Sequence, residues 1–176
     1  MIGSWDIEHT DDPGQFHDLA VAYLDMSILG TKAMADGKLL ASFSCSRVVL
    51  SLAYHAVELF LKGAILRATG DKKCMSHSVE ELHGQYEDLY RGEDFKLELP
   101  FSFACLGFTP ERAAEILNKP PSQDQMFRYP TDRTGERWPG SHGFDYELFF
   151  RTLRSVKQRL GSLGPKIHPG TAEDSG

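Results

Sequence analysis

The sequence predicts an all-α fold, and three observations carry that reading. Apolar residues recur at helical spacing through Gln15–Met34 and again through Phe144–Leu160. Between them, about 30 residues from Leu39 to Ala68 run without proline and close on Thr69-Gly70-Asp71. The one period-two stretch, Phe95, Leu97, Leu99, Phe101 and Phe103, contains Pro100 and has no convincing partner strand, so it is expected as an extended loop.

Each element has its own signals. Pro13 suits the first turn of the opening helix, which Asp36-Gly37 ends. The second helix, about 45 Å long at ~1.5 Å per residue, must be the spine of the fold. A third begins near Ser76, with Glu80 and Glu81 in its first turns, and ends near Arg91-Gly92. Thr109-Pro110-Glu111 starts a short fourth helix that stops at Asn118-Lys119-Pro120-Pro121. A loop rich in Pro, Gly, Asp and Arg follows, through Gly143. The last helix carries Phe149, Leu153, Val156 and Leu160 within about 60° of arc. Residues 1–14 are expected as an N-terminal extension, 15–160 as the helical domain and 161–176 as a disordered tail.

Composition narrows the function classes. A chain of 176 residues with 41% hydrophobic and 25% charged residues is an ordinary globular domain. Its net charge of −6 excludes a basic nucleic-acid coat over the whole surface. The charge is uneven, however: residues 128–168 hold eight basic and four acidic side chains. Arg128, Arg133, Arg137, Arg151, Arg154, Lys157 and Arg159 form the one region able to attract a phosphate backbone, or else a solvated face with arginine-held loops. Three scattered cysteines, Cys45, Cys74 and Cys105, offer neither a zinc motif nor a disulfide framework and fit free thiols in a reducing compartment. The N-terminus has no basic, apolar leader, and Val48–Leu61 is short of the ~20 residues a bilayer demands. A cytoplasmic protein with no membrane contact is expected.

The spine carries an informative exception to its apolar character. Arg47, Ser51, His55, Glu58 and Lys62 share a stripe of about 80° at ~100° per residue. Glu58 and Lys62 are an i,i+4 pair in the favourable order, and His55 and Glu58 stand at i,i+3. The stripe can be a satisfied polar seam that fixes helix register, with Lys62 and Arg47 the partners expected for Glu58. The alternative is a polar pocket for a phosphate or nucleotide, with Lys62 and Arg47 as anion contacts and His55 as proton carrier.

Metal and cofactor chemistry find no support. A di-iron bundle needs two Glu-x-x-His helices, and only Glu80–His83 matches. No dinucleotide, Walker or nucleophile-elbow motif occurs, so no cofactor and no metal are expected.

Ala53-Tyr54-His55-Ala56-Val57-Glu58-Leu59-Phe60-Leu61-Lys62 resembles the central helix of bacterial HEPN-like (higher eukaryotes and prokaryotes nucleotide-binding) proteins, where His-x-x-Glu-Leu-x-x-Lys is usual. His77-Ser78-Val79-Glu80-Glu81-Leu82 is similar to the family's helix-start histidine, and Arg128-Tyr129-Pro130 to its Arg-Tyr loop before the final helix. The resemblance implies an up-and-down bundle of four to five helices, often dimeric. It further implies a role in defence or toxin–antitoxin systems, with an antitoxin or nucleotidyltransferase-like partner, or with RNA or a nucleotide. Catalytic members carry Arg, a polar residue and, four to six positions on, His. Here only Arg137-Trp138-Pro139-Gly140-Ser141-His142 has that spacing, with Trp138 in the polar position and Pro-Gly making a loop. The expected function is therefore a non-catalytic module binding a partner protein or a nucleotide or nucleic-acid ligand. The alternative is a metal-independent ribonuclease using Arg137 and His142. On either reading His55, Glu58, Lys62, His77 and Arg128 should form one polar cluster, since an unpaired carboxylate on the spine would cost several kcal/mol.

Overall fold

The computed structural model describes residues 11–71, 76–99, 135 and 144–169. Among the described residues four α-helices form the bundle: α1 (Asp12–Ala35), α2 (Phe43–Thr69), α3 (Val79–Leu89) and α4 (Tyr146–Ile167). No strand occurs among the described residues. The short helix expected from Thr109, the arginine-rich loop, Cys74 and Cys105 lie outside them.

Side-chain caps set the start of each described α-helix. Asp11 accepts from Gly14 N at 3.1 Å, Ser42 from Cys45 N at 3.2 Å, Ser78 from Glu81 N at 3.3 Å and Asp145 from Leu148 N at 2.9 Å. Each satisfies an amide with no partner inside its helix, an effect worth about 1 kcal/mol. α2 ends on Gly70, whose φ of 68° is the left-handed conformation glycine adopts without strain.

Several of the expected boundaries move: α2 begins at Phe43, where Ser42 caps it, rather than at Leu39, and α3 begins at Val79 after the Ser78 cap rather than near Ser76. α1 begins at Asp12 with Asp11 as its cap and Pro13 in its first turn, as expected, so residues 12–14 belong to the helical domain rather than to an N-terminal extension. α4 does not stop at Leu160. Leu163 and Ile167 continue the stripe of Phe149, Leu153, Val156 and Leu160, and all six are buried, so packing carries the helix through Gly161, Gly164 and Pro165. Each fully buried aliphatic or aromatic side chain contributes about 1.5–3 kcal/mol relative to exposure.

α1 and α2 are antiparallel: Ser27 Oγ donates to Val49 O at 2.7 Å near one end, and Gly63 meets Phe16 and Pro13 at the other. α4 is antiparallel to α1, with Lys157 paired to Asp25 and Gly164 against His17. α3 departs from the expected alternation. Val79 N donates to Tyr54 Oη, Tyr86 packs on Phe60, and Tyr90 Oη donates to Ala64 O, so contacts advance together along α2 and α3. α3 therefore starts beside the middle of α2 and runs parallel to it.

The segment after α3 opens with one 3₁₀ turn, Glu93–Phe95, and residues 96–99 are irregular. Side chains pin it: His83 to Leu97 O at 2.6 Å, Tyr86 Oη to Phe95 O at 2.7 Å, and Arg159 to the carbonyls of Glu93, Asp94 and Lys96. By length and composition α2 would pass for a membrane span, yet 78% of its most apolar 18-residue window is buried inside the bundle. It is the hub onto which α1, α3 and α4 pack.

Candidate functional site

Glu58 lies in the middle of α2 and is fully buried. Lys62 Nζ donates to its Oε1 at 2.7 Å, the His77 Nδ1 approaches the same oxygen at 2.8 Å, and His55 Nδ1 approaches Oε2 at 3.2 Å. Burial alone would raise the Glu58 pKa, but the bonds from His55, Lys62 and His77 overcome it and bring it to about 2. The carboxylate is thus ionised at neutral pH.

An ionised carboxylate only accepts hydrogen bonds. Both imidazoles must therefore carry a proton on Nδ1 when bonded to it, and this assigns their tautomers from the network. Lys62 Nζ and His77 Nδ1 stand 3.3 Å apart because both donate to one oxygen, not because they bond to each other. With Nδ1 turned inwards, each ring's Nε2 edge points away from the carboxylate. The His77 side chain is 74% exposed and that of His55 34%. The Tyr23 ring meets His55 edge to face at 4.7 Å between centroids and holds its orientation.

The start of α3 beside the middle of α2 explains the membership of this cluster. A connection ending near the C-terminus of α2 would leave His55 almost four turns away from His77. Instead Val79 sits on Tyr54, and His77 falls between His55 and Lys62. Arg47 is the residue the structure separates. Eleven residues of helix put it about 16 Å from Glu58, beyond the reach of any side chain, and its guanidinium lies 5.5 Å from the Phe43 ring centre. The expected pairing of Arg47 with Glu58 is therefore replaced by the two histidines. Lys62, 10% exposed at its side chain, is committed to Glu58 and is not an open anion contact. Arg128, Arg137 and His142 lie outside the described residues.

The basic residues of α4 divide in the same way. Arg159 holds the 93–96 backbone and Lys157 pairs with Asp25. Arg151 and Arg154 stay exposed beside an open groove lined also by Ser155, Lys157 and Gln158.

A second titratable cluster escaped the sequence analysis. His168, the C-cap of α4, is fully buried and its ring centre lies 5.3 Å from that of His17 on α1. Arg67 at the end of α2 reaches His168 Nδ1 at 3.4 Å and the carboxylate of Asp11 at 2.7 Å. The signal that could have found it was the apolar stripe of α4 running on through Leu163 and Ile167.

Fold and site together define an all-α helical bundle with a buried carboxylate–lysine–histidine seam. The chain matches no family model, no curated protein and no solved structure in comparisons with each. Among the described residues no group of three or more His, Cys, Asp or Glu could hold a metal ion.

Proposed function

We propose that the chain is a HEPN-like helical module without catalysis of its own, which binds a partner protein or a nucleotide-containing ligand at the edge formed by His55 and His77. One observation carries this reading. The charges of Glu58 and Lys62 satisfy each other inside the bundle, while two imidazoles locked onto Glu58 leave their Nε2 edges for an outside group. A neutral Nε2 accepts a hydrogen bond from a ligand, and a protonated one donates to a phosphate. Lys62 and Glu58 then serve as the rigid floor that orients both rings rather than as ligand contacts.

The test is an NMR titration of the two imidazoles with ATP and, separately, with inorganic phosphate. His55 and His77 signals should move with ATP, and His77→Ala should weaken binding by about tenfold, the loss of one hydrogen bond. A response to neither probe directs the reading to a protein partner. Efficient cleavage of single-stranded RNA by the purified protein, abolished by His142→Ala, would replace the binding module with the ribonuclease.

A further inference from the structure

Three helix ends meet at the second cluster: the N-cap of α1, the last turn of α2 and the C-cap of α4. We propose that His17 and His168 form an acid-sensitive latch, which holds the last turn of α4 on the bundle at neutral pH and releases it on protonation. The inference is independent of the proposed ligand site, with which it shares no residue.

The geometry supports the neutral state of both rings. Arg67 donates its Nε–H to His168 Nδ1, which must therefore be the bare nitrogen, with the proton on Nε2. Protonating Nδ1 turns that acceptor into a second donor facing a guanidinium. It also places a charge on a fully buried ring 5.3 Å from the other imidazole. His17 is squeezed as well. Its buried Nδ1 has no hydrogen-bond partner among the described residues, and its ring packs on Phe60 and against Gly164. A Cβ at Gly164 would stand 2.7 Å from that ring, so α4 meets α1 here with no side chain between them.

The charges facing the pair come from each element. α2 offers Arg67, which opposes protonation of His168. Asp11, capping α1, favours it, but that carboxylate is already bonded to Arg67 and to Gly14 N. Asp18 on α1 favours a charged His17 from an exposed position, where water screens it. Burial outweighs these attractions: it lowers the pKa of His17, and with His17 and Arg67 it lowers that of His168 to about 4. The sign follows directly. Released, His168 takes its proton near its ordinary value of 6.5; docked, near 4. Docking is thus at full strength above pH 6.5 and weakens as pH falls towards 4. One linked proton raises the released fraction up to about tenfold per pH unit in that window.

Amide hydrogen exchange of the full chain from pH 7 to pH 5, corrected for intrinsic rates, tests the latch. Protection of residues 163–168 relative to the middle of α2 should fall about tenfold or more. His168→Asn, whose Oδ1 replaces the Nδ1 acceptor without titrating, should flatten that fall. An unchanged wild-type profile, or the same fall in His168→Asn, would overturn the proposal. Proton NMR of the wild-type His168 ring needs no variant: a midpoint well below 6.5 supports the latch, and one at or above 6.5 refutes it.

Discussion

The bundle buries two clusters of ionisable groups about α2, and they meet the cost of burial in opposite ways. Around Glu58 the charge is kept and matched: one carboxylate collects a lysine and two imidazole N–H donors. Around His168 the charge is refused: a neutral imidazole sits between a guanidinium and a second imidazole. The difference lies in donor supply. A carboxylate has several lone-pair sites, and neighbours from two segments can fill them, so ionisation survives burial. A buried imidazole with a cation beside it gains nothing by charging and stays neutral. Seen this way, Glu58 keeps its charge over the physiological range, and the second cluster is a titratable joint.

The comparison breaks most visibly at Glu58. Replacing it in Glu58→Ala strands Lys62 in the interior and should cost about 3–5 kcal/mol in urea unfolding. A loss below 1 kcal/mol would show that Lys62 finds water readily and that the seam is not a buried pair.

At the other cluster the sensitive point is space rather than charge. Gly164→Ala puts a methyl group 2.7 Å from the His17 ring and should cost about 1–3 kcal/mol, measured the same way. Neutral or improved stability would mean that α4 and α1 are not in close contact there.

Acid separates the two clusters along the pH axis. Stability from neutral His168 is complete above 6.5 and is lost as pH falls towards 4, and burial of neutral His17 acts in the same direction. Stability from ionised Glu58 is complete above 4.5 and is lost only as pH falls towards 2. Urea midpoints measured from pH 8 to pH 3 should therefore decline in two stages. His168→Asn should shrink the first stage and leave the second. A single decline beginning below pH 4.5 would contradict the assignment.

An exposed pair between helices gives the baseline. Asp25→Asn breaks the α1–α4 contact with Lys157, both side chains being about half exposed, and should cost under about 1 kcal/mol, less in high salt. A larger effect would blur the distinction between buried and surface charge on which the comparison rests.

Much of the first cluster could be read from the chain. His55, Glu58 and Lys62 belong together by helical spacing alone, because an α-helix places i, i+3 and i+4 on one face whatever surrounds it. His77 entered through a motif, and its depth along α2 came out differently because where α3 docks on α2 is a tertiary matter. Arg47 shared the stripe by angle but not by height, and angular position says nothing about axial reach. The second cluster was invisible. His17 and His168 stand at opposite ends of the described chain, and Gly161, Gly164 and Pro165 read locally as the end of a helix.

What the sequence by itself determined is the existence of the described helices α1–α4. Caps at Asp11, Ser42, Ser78 and Asp145, the αL glycine at Gly70 and the apolar stripes are local facts, fixed by backbone hydrogen bonding and by the period of the helix. Tertiary structure alone decided how far α4 extends, which way α3 runs, and which titratable groups share an environment. Those outcomes depend on burial against partners distant in sequence: Leu163 and Ile167 stay helical because a core receives them, and His168 stays neutral because Arg67 and His17 arrive from other helices.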